Sequence, residues 1–155
     1  NNVLVGGAVA AVYSKGAYKS GDLDIVIESY NISNSHIAQL MEDLDFYKKG
    51  RHWIHDKCTH LYVEFVLPPV AIGDDYNIKP LIIDKGGIKI SILSPVDCVK
   101  DRLASYLYFS ARECLDQAIL VADEEKIDLN NVKKWCKKEG PKALEVFEEF
   151  KSRLK

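Results

Sequence analysis

Apolar positions recur with two different periods, and the change from one to the other near Leu93 divides the chain. Before that point the runs are short. Val3-Leu4-Val5 ends at Gly6-Gly7 and reads as a buried strand passing into a tight turn. Ala8 to Ser14 is rich in alanine and predicts a helix stopped at Gly16. Leu23 to Glu28 predicts a second strand. Ser33 or Ser35 caps a helix to about Asp45, with Ile37, Leu40, Met41 and Leu44 as its inner stripe at i, i+3, i+4 and i+7. His52 to His55 is a weak strand. Leu61 to Leu67 is a stronger one, stopped by Pro68-Pro69, and the segment 71–77 reads as a loop. Ile78 to Asp84 and Ile88 to Leu93 flank Lys85-Gly86-Gly87 and predict a β-hairpin, with Pro80 confining its first strand to a sheet edge.

Beyond Leu93 the period is that of helices. Ser94 is an N-cap followed by Pro95 at the first helical position, and Val96, Val99, Leu103 and Leu107 give that helix its core face. Ser110 with Glu113 reads as a capping box for a helix to about Ala122. Asp128 caps a third helix, which stops at Gly140-Pro141, and Leu144, Phe147 and Leu154 mark a fourth. The expected fold class is α+β. A mixed β-sheet core with flanking helices fills residues 1–94, and a helical extension over 95–155 packs on it.

Strand alternation then exposes the candidate chemistry. Side chains alternate faces along a strand, so Asp22, Asp24, Val26 and Glu28 share one face while Leu23, Ile25 and Ile27 form the natural core face. Two carboxylates that close repel, and burying them unpaired is expensive. A divalent cation relieves both problems, and paired oxygen ligands suit Mg²⁺. In the run Leu61 to Leu67, Glu64 is the sole acid and shares a face with His60, Tyr62 and Val66. It reads equally well as a third ligand or as an exposed acid on a half-covered sheet. Gly6 and Gly7 sit where a strand becomes a helix, so backbone N–H groups there suit phosphate, and glycine permits a close approach. Ser20 offers a hydroxyl to the same phosphates.

Bulk composition narrows the function little. The 155 residues are 47% hydrophobic and 28% charged, ordinary values for one globular domain, and the formal net charge of −2 does not announce a nucleic-acid binder. Cys58, Cys98, Cys114 and Cys136 form no Cys-x-x-Cys pair and read as reduced thiols in a cytoplasmic protein. No apolar run approaches the ~20 residues that cross a bilayer, no basic signal-peptide opening is visible, and no membrane partner is expected.

Taken together, Val5-Gly6-Gly7 followed by Asp22-Leu23-Asp24, with Ile25-Val26-Ile27 continuing the strand, resembles the signature of the nucleotidyltransferase superfamily, the DNA polymerase β-like fold. Gly-Gly before a small-residue helix and Ser20 before the acids resemble the prokaryotic AbiEii-type toxins and related uncharacterised proteins. The segment Ser94 to Leu103 resembles one that follows the core in that group. The resemblance implies a nucleotidyltransferase-like fold and Mg-dependent transfer of a nucleoside monophosphate from an NTP to an acceptor. It implies Asp22, Asp24 and Glu64 as catalytic ligands of two Mg²⁺ (or Mn²⁺) ions, and Gly6, Gly7 and Ser20 as phosphate-binding residues. Lys100 and Arg102 are the candidates for a basic phosphate contact from the helices. Solvated charges paired with Asp97 and Asp101 are the equally weighted reading of those two. The acceptor is open among RNA such as tRNA, protein and small molecules, and a toxin role would imply an antitoxin partner.

Other features carry blander readings. His52, His55, Cys58 and His60 match no compact zinc spacing and read as structural or surface residues, although His60 shares the face of Glu64. Arg112, Lys133, Lys134, Lys137 and Lys138 suggest a basic stripe for an RNA acceptor, yet Glu139, Glu145, Glu148 and Glu149 offset it. Trp53 and Trp135 read as core anchors rather than base-stacking platforms. Two rival functions stand beside transfer. One is a non-catalytic nucleotide- or partner-binding module of the same fold. The other is a metal-dependent nuclease, against which no Glu-x-Lys occurs at Glu64-Phe65-Val66.

Overall fold

In the computed structural model, which describes residues 2–29 and 31–155, the first apolar run is strand β1 (Asn2–Val5) and helix α1 (Gly6–Tyr13) follows it directly. The helix therefore begins at Gly6, two residues earlier than the alanine run suggests. The Gly-Gly pair is its first turn, and Gly6 supplies a φ of +73° that other residues rarely adopt. Strand β2 (Asp22–Ile27), helix α2 (Asn34–Asp43), and strands β3 (Phe46–Lys49), β4 (His52–His55) and β5 (Tyr62–Val66) come next. A hairpin of β6 (Leu81–Lys85) and β7 (Ile88–Ile92) closes the sheet. Its two-residue turn, Gly86-Gly87, has both φ values positive, as the twist of a tight hairpin demands. Helices α3 (Pro95–Phe109), α4 (Arg112–Glu124), α5 (Leu129–Glu139) and α6 (Pro141–Ser152) complete the chain.

The seven strands run in the order β3-β4-β5-β2-β1-β7-β6. Strand β2 is antiparallel to β1 and parallel to β5, and β1 is parallel to β7, so the sheet is mixed and the fold α+β. Strand β6 lies at an edge, where Pro80 before it costs no ladder bond. The register aligns Glu64 with Asp24, Asp24 with Val5, Leu4 with Ile92, and Ile92 with Leu81. The start of β2, the end of β1, the end of β7 and the start of β6 therefore share one edge of the sheet.

The main core joins Val3, Val9, Val26 and Ile92 to Val99, Leu103, Phe147 and Phe150 of the helices. Tyr13 donates its hydroxyl to the carbonyl of Leu93 at 2.8 Å, and Trp135 donates its indole N–H to that of Ile72 at 3.1 Å, so both buried polar handles are satisfied. Trp53 and Trp135 are both buried. The opposite face of the sheet carries a smaller cluster of Met41, Trp53 and Val63 with Leu23 and Ile25.

Several expectations shift. Leu23 and Ile25 face the smaller cluster, and Val26, beside the aspartates, faces the larger. Both faces are covered, and alternation alone does not say which layer is thicker. On α2 only Met41 is fully buried, while Leu40 and Leu44 are 49% and 62% exposed, because this short helix caps only the small cluster. Strand β3 lies where no strand is expected, its Tyr47-Lys48-Lys49 being outward and polar at the sheet edge. Strand β6 starts at Leu81, three residues later than Ile78. Ser110 does not open α4: it is the C-cap of α3, in a left-handed conformation (φ 54°), and Ala111 is the N-cap of α4 without a side-chain bond. The caps at Ser33, Ser94 and Asp128 all accept backbone N–H groups from their own first turns. The four cysteines are free, with Cys98, Cys114 and Cys136 buried. Among the described residues no helix is long and apolar enough to cross a membrane.

Candidate active site

The glycines and the aspartates meet where β1 hands over to α1. Residue Val5 of β1 lies opposite Asp24, so the carboxylate of Asp24 sits at the N-terminus of α1. A Cβ on Gly6 would run into that carboxylate, and one on Gly7 would lie 3.1 Å from Ser20 Oγ and 3.2 Å from the hydroxyl of Tyr18. Glycine is thus required twice, once for φ and once for room. The first turn of α1 has no side-chain cap, which leaves its N–H groups for other acceptors.

Ser20 donates to Asp22 Oδ1 at 2.9 Å, so its hydroxyl orients the first aspartate. Asp24 is pushed up to about 6 from an ordinary 3.8, first by burial and then by the negative charges of Asp22 and Glu64; Arg102 opposes the shift, and Asp101 adds to it. The site has more negative charge than its protein neighbours offset.

Glu64 on β5 is directly in register with Asp24, one strand spacing of about 4.8 Å away. Its carboxylate pairs with Arg51 Nε at 3.2 Å and lies 3.4 Å from His52 Nε2, which also accepts from Arg51 Nε at 3.4 Å. His52 also packs against Tyr62, with ring centroids 4.3 Å apart and the rings tilted by 41°. Strand pairing explains the contact, because β4 sets His52 opposite Glu64. Arg51 belongs to the adjoining turn. Among the described residues, no group of three or more His, Cys, Asp or Glu side chains closes around a common point. The acids form an open set in which, among the described residues, Asp22 and Asp24 have no cation within ion-pair distance and Glu64 is held toward the β3–β4 turn. The all-oxygen donors and the surplus negative charge fit a hard divalent cation at the aspartates.

The two basic candidates diverge, because residues 100 and 102 point about 200° apart around a helix. Arg102 comes under the aspartates: its guanidinium is chelated by Asp101 Oδ2 (2.7 and 3.1 Å), reaches Gln117 Oε1 at 3.2 Å, and is 11% exposed. Lys100 is turned to the other side of α3, where its ammonium binds Asp97 at 3.0 Å, and it lines a separate cleft. The remaining histidines make local contacts, His55 accepting the Lys57 N–H at 3.0 Å and His60 lying 3.8 Å from the Cys58 sulfur.

Sequence reasoning misses three participants. Arg51 and His52 flank Glu64 only through a β3–β4 hairpin whose first strand has no sequence signal. Asp101 was readable only as a partner for Arg102, and its second role, as a charge felt by Asp24, depends on how α3 crosses the sheet.

No family model matches the chain, and no curated protein matches it. Among solved structures, it is similar to an antigenic nucleotidyltransferase-like protein from Paracoccidioides brasiliensis, at 17% identity and a TM-score of 0.56. The match covers 78% of this chain and 66% of that one, so this chain spans slightly under two thirds of the other protein's length. The likeness establishes a nucleotidyltransferase-like fold.

Proposed function

We propose that the protein is a nucleotidyltransferase that moves a nucleoside monophosphate from an NTP to an acceptor hydroxyl. The observation that carries this reading is Asp24, a carboxylate seated against Gly6 at the N-terminus of α1, with Asp22 two residues away and their charges uncompensated. The fold likeness supports it.

In this reading Asp22 and Asp24 would hold Mg²⁺ or Mn²⁺, two ions in the full complex, which would supply charge neutralisation for an in-line displacement at the α-phosphorus. The N–H groups of the Gly6-Gly7 turn bind the β- and γ-phosphates. Ser20 keeps Asp22 in its rotamer, and Arg102, held by Asp101, favours the charged form of Asp24. Glu64 accepts the proton of the acceptor hydroxyl as the new O–P bond forms and the bond to pyrophosphate breaks. It does so after releasing Arg51 and His52 in exchange for the acceptor hydroxyl. Lys100 has no part in holding the NTP. The AbiEii-type resemblance adds a toxin role with an antitoxin partner to this proposal; growth arrest on expression, absent in Asp22→Asn, is its test.

Incubation with Mg²⁺, α-labelled NTPs and a pool of tRNA or cell extract tests the reading. Label transferred by the wild type and not by Asp22→Ala with Asp24→Ala supports it. Equal transfer by both sinks it. The engagement of Glu64 by Arg51 and His52 is the one observation that favours a non-catalytic binding module. That alternative expects NTP binding without any transfer.

A further inference from the structure

A second polar cleft, of about 400 Å³, opens between the first turns of α3, helix α5 and the loop before β6. Its walls carry Lys79, Lys100, Lys134 and Lys138 against only Asp75 and Asp97. Both acids are occupied. Asp97 binds Lys100 and the Ser94 hydroxyl, and Asp75 accepts the backbone N–H of Asn77. Among the described residues Lys79, Lys134 and Lys138 have no carboxylate within ion-pair distance, whereas the neighbouring Lys133 pairs with Glu148. The basic run on α5 is therefore split, Lys134 and Lys138 facing the cleft and Lys133 facing away. Asn77 and Asn131 add neutral hydrogen-bonding groups. Trp135 lies in the wall, but it is buried and its N–H is already bonded to Ile72, so the cleft presents no stacking platform.

Position gives these charges a meaning. The cleft sits at the ends of β7 and β6, on the same sheet edge as Gly6 and the aspartates. Strands β7 and β6 are the second and third neighbours of β2. At about 4.8 Å per strand, the cleft lies on the order of 10–15 Å from Asp24. Both lie on the helical side of the sheet, separated by α3.

We infer that the cleft binds the phosphodiester backbone of an RNA strand and thereby holds the acceptor whose end reaches Asp22 and Asp24. The inference rests on the transferase reading and adds the acceptor class to it. Multiple lysines without an aromatic platform recognise backbone charge rather than base identity. The offset from the Gly6-Gly7 turn separates these phosphates from those of the NTP. Lys100, fixed by Asp97 at the cleft floor, is a binding residue here.

The test is fluorescence anisotropy with a labelled single-stranded RNA oligomer, without NTP or divalent metal. Wild type binds at 50 mM salt. Lys134→Gln with Lys138→Gln weakens binding about tenfold or more and flattens the log–log salt slope by about 1.4. A charge-matched control, Lys137→Gln with Lys151→Gln on exposed positions outside the cleft, changes affinity less than twofold. Three results overturn the inference: no RNA binding, equal losses in the cleft and control variants, or displacement of the RNA by inorganic tripolyphosphate at concentrations that leave the control anisotropy of a nonspecific binder unchanged. Label transfer that the cleft variant does not impair also overturns it and leaves the transferase reading standing. RNA binding that depends on the cleft, with no transfer to any acceptor, removes the transferase reading instead.

Discussion

Helix α3 has two polar sides, and they solve opposite electrostatic problems. On one, the Asp101–Arg102 pair acts on Asp24, which Asp22 and Glu64 also crowd, and negative charge is in excess. On the other, Asp97 and Lys100 meet Lys79, Lys134 and Lys138, where positive charge is in excess. Each side contains one buried or half-buried ion pair that fixes its geometry, and each leaves charges over. A folded chain tolerates such residues of charge where a ligand of opposite sign completes them. The contrast teaches that the net charge of −2 conceals two local fields of opposite sign along one sheet edge.

The comparison can be broken most severely at the aspartates. Asp22→Asn or Asp24→Asn is expected to lower label transfer by about 10²–10³-fold, the scale seen when one preorganised electrostatic contact to a transition state is lost. Arg102→Met comes next. It leaves the half-buried Asp101 without its partner and is expected to destabilise the fold by about 1–3 kcal/mol, read as a shift in denaturation midpoint. Removing Arg102 also takes away the one neighbour that lowers Asp24, so the Asp24 carboxyl titrates higher still. Gly6→Ala follows. A methyl-bearing residue at φ +73° costs about 1–2 kcal/mol, and the added carbon displaces the Asp24 carboxylate, so transfer falls with stability.

The pH dependence has a definite sign. The Asp24 carboxyl is raised in the folded state, from 3.8 to about 6, so the fold is penalised once this group must ionise. Stability contributed by the protonated form is full below pH 3.8 and is lost as pH rises through about 6. Asp24→Asn removes that slope between pH 4 and 6, measured by thermal unfolding in a pH series. In the proposed metal site Mg²⁺ is expected to offset the same penalty, so that its stabilising effect in the same pH series is larger at pH 7.5 than at pH 5. The smallest change is Arg51→Ala, which breaks an ion pair open to solvent on the arginine side. It costs less than about 1 kcal/mol and frees Glu64.

The two sides of α3 were unequally legible in the sequence. The aspartates and glycines stand out because strand alternation and a Gly-Gly turn are local signals, and the register of β1 with β2 merely brings them together. Glu64 was placeable because one acid in an apolar strand is conspicuous. Its partners Arg51 and His52 were not, since β3 is a polar edge strand without periodicity. The lysine cleft was invisible for a different reason. Its four lysines come from residues 79 to 138, and only the packing of α5 across α3 converts half of a run that reads as a solvated stripe into one wall of a cleft. The exposed Leu40 and Leu44 show the converse error, in which good helical spacing promises a buried stripe that the small second cluster has no room to cover.

The central claim is that Asp22 and Asp24 form a metal site that works with nucleotide. Titrating Mn²⁺ into the protein with and without NTP, with free Mn²⁺ followed by electron paramagnetic resonance, tests it most directly. The account predicts Mn²⁺ uptake by the wild type that tightens when NTP is present and is lost in Asp22→Asn with Asp24→Asn. Uptake that is equal in the wild type and the double variant, after subtracting binding to NTP alone, would contradict it.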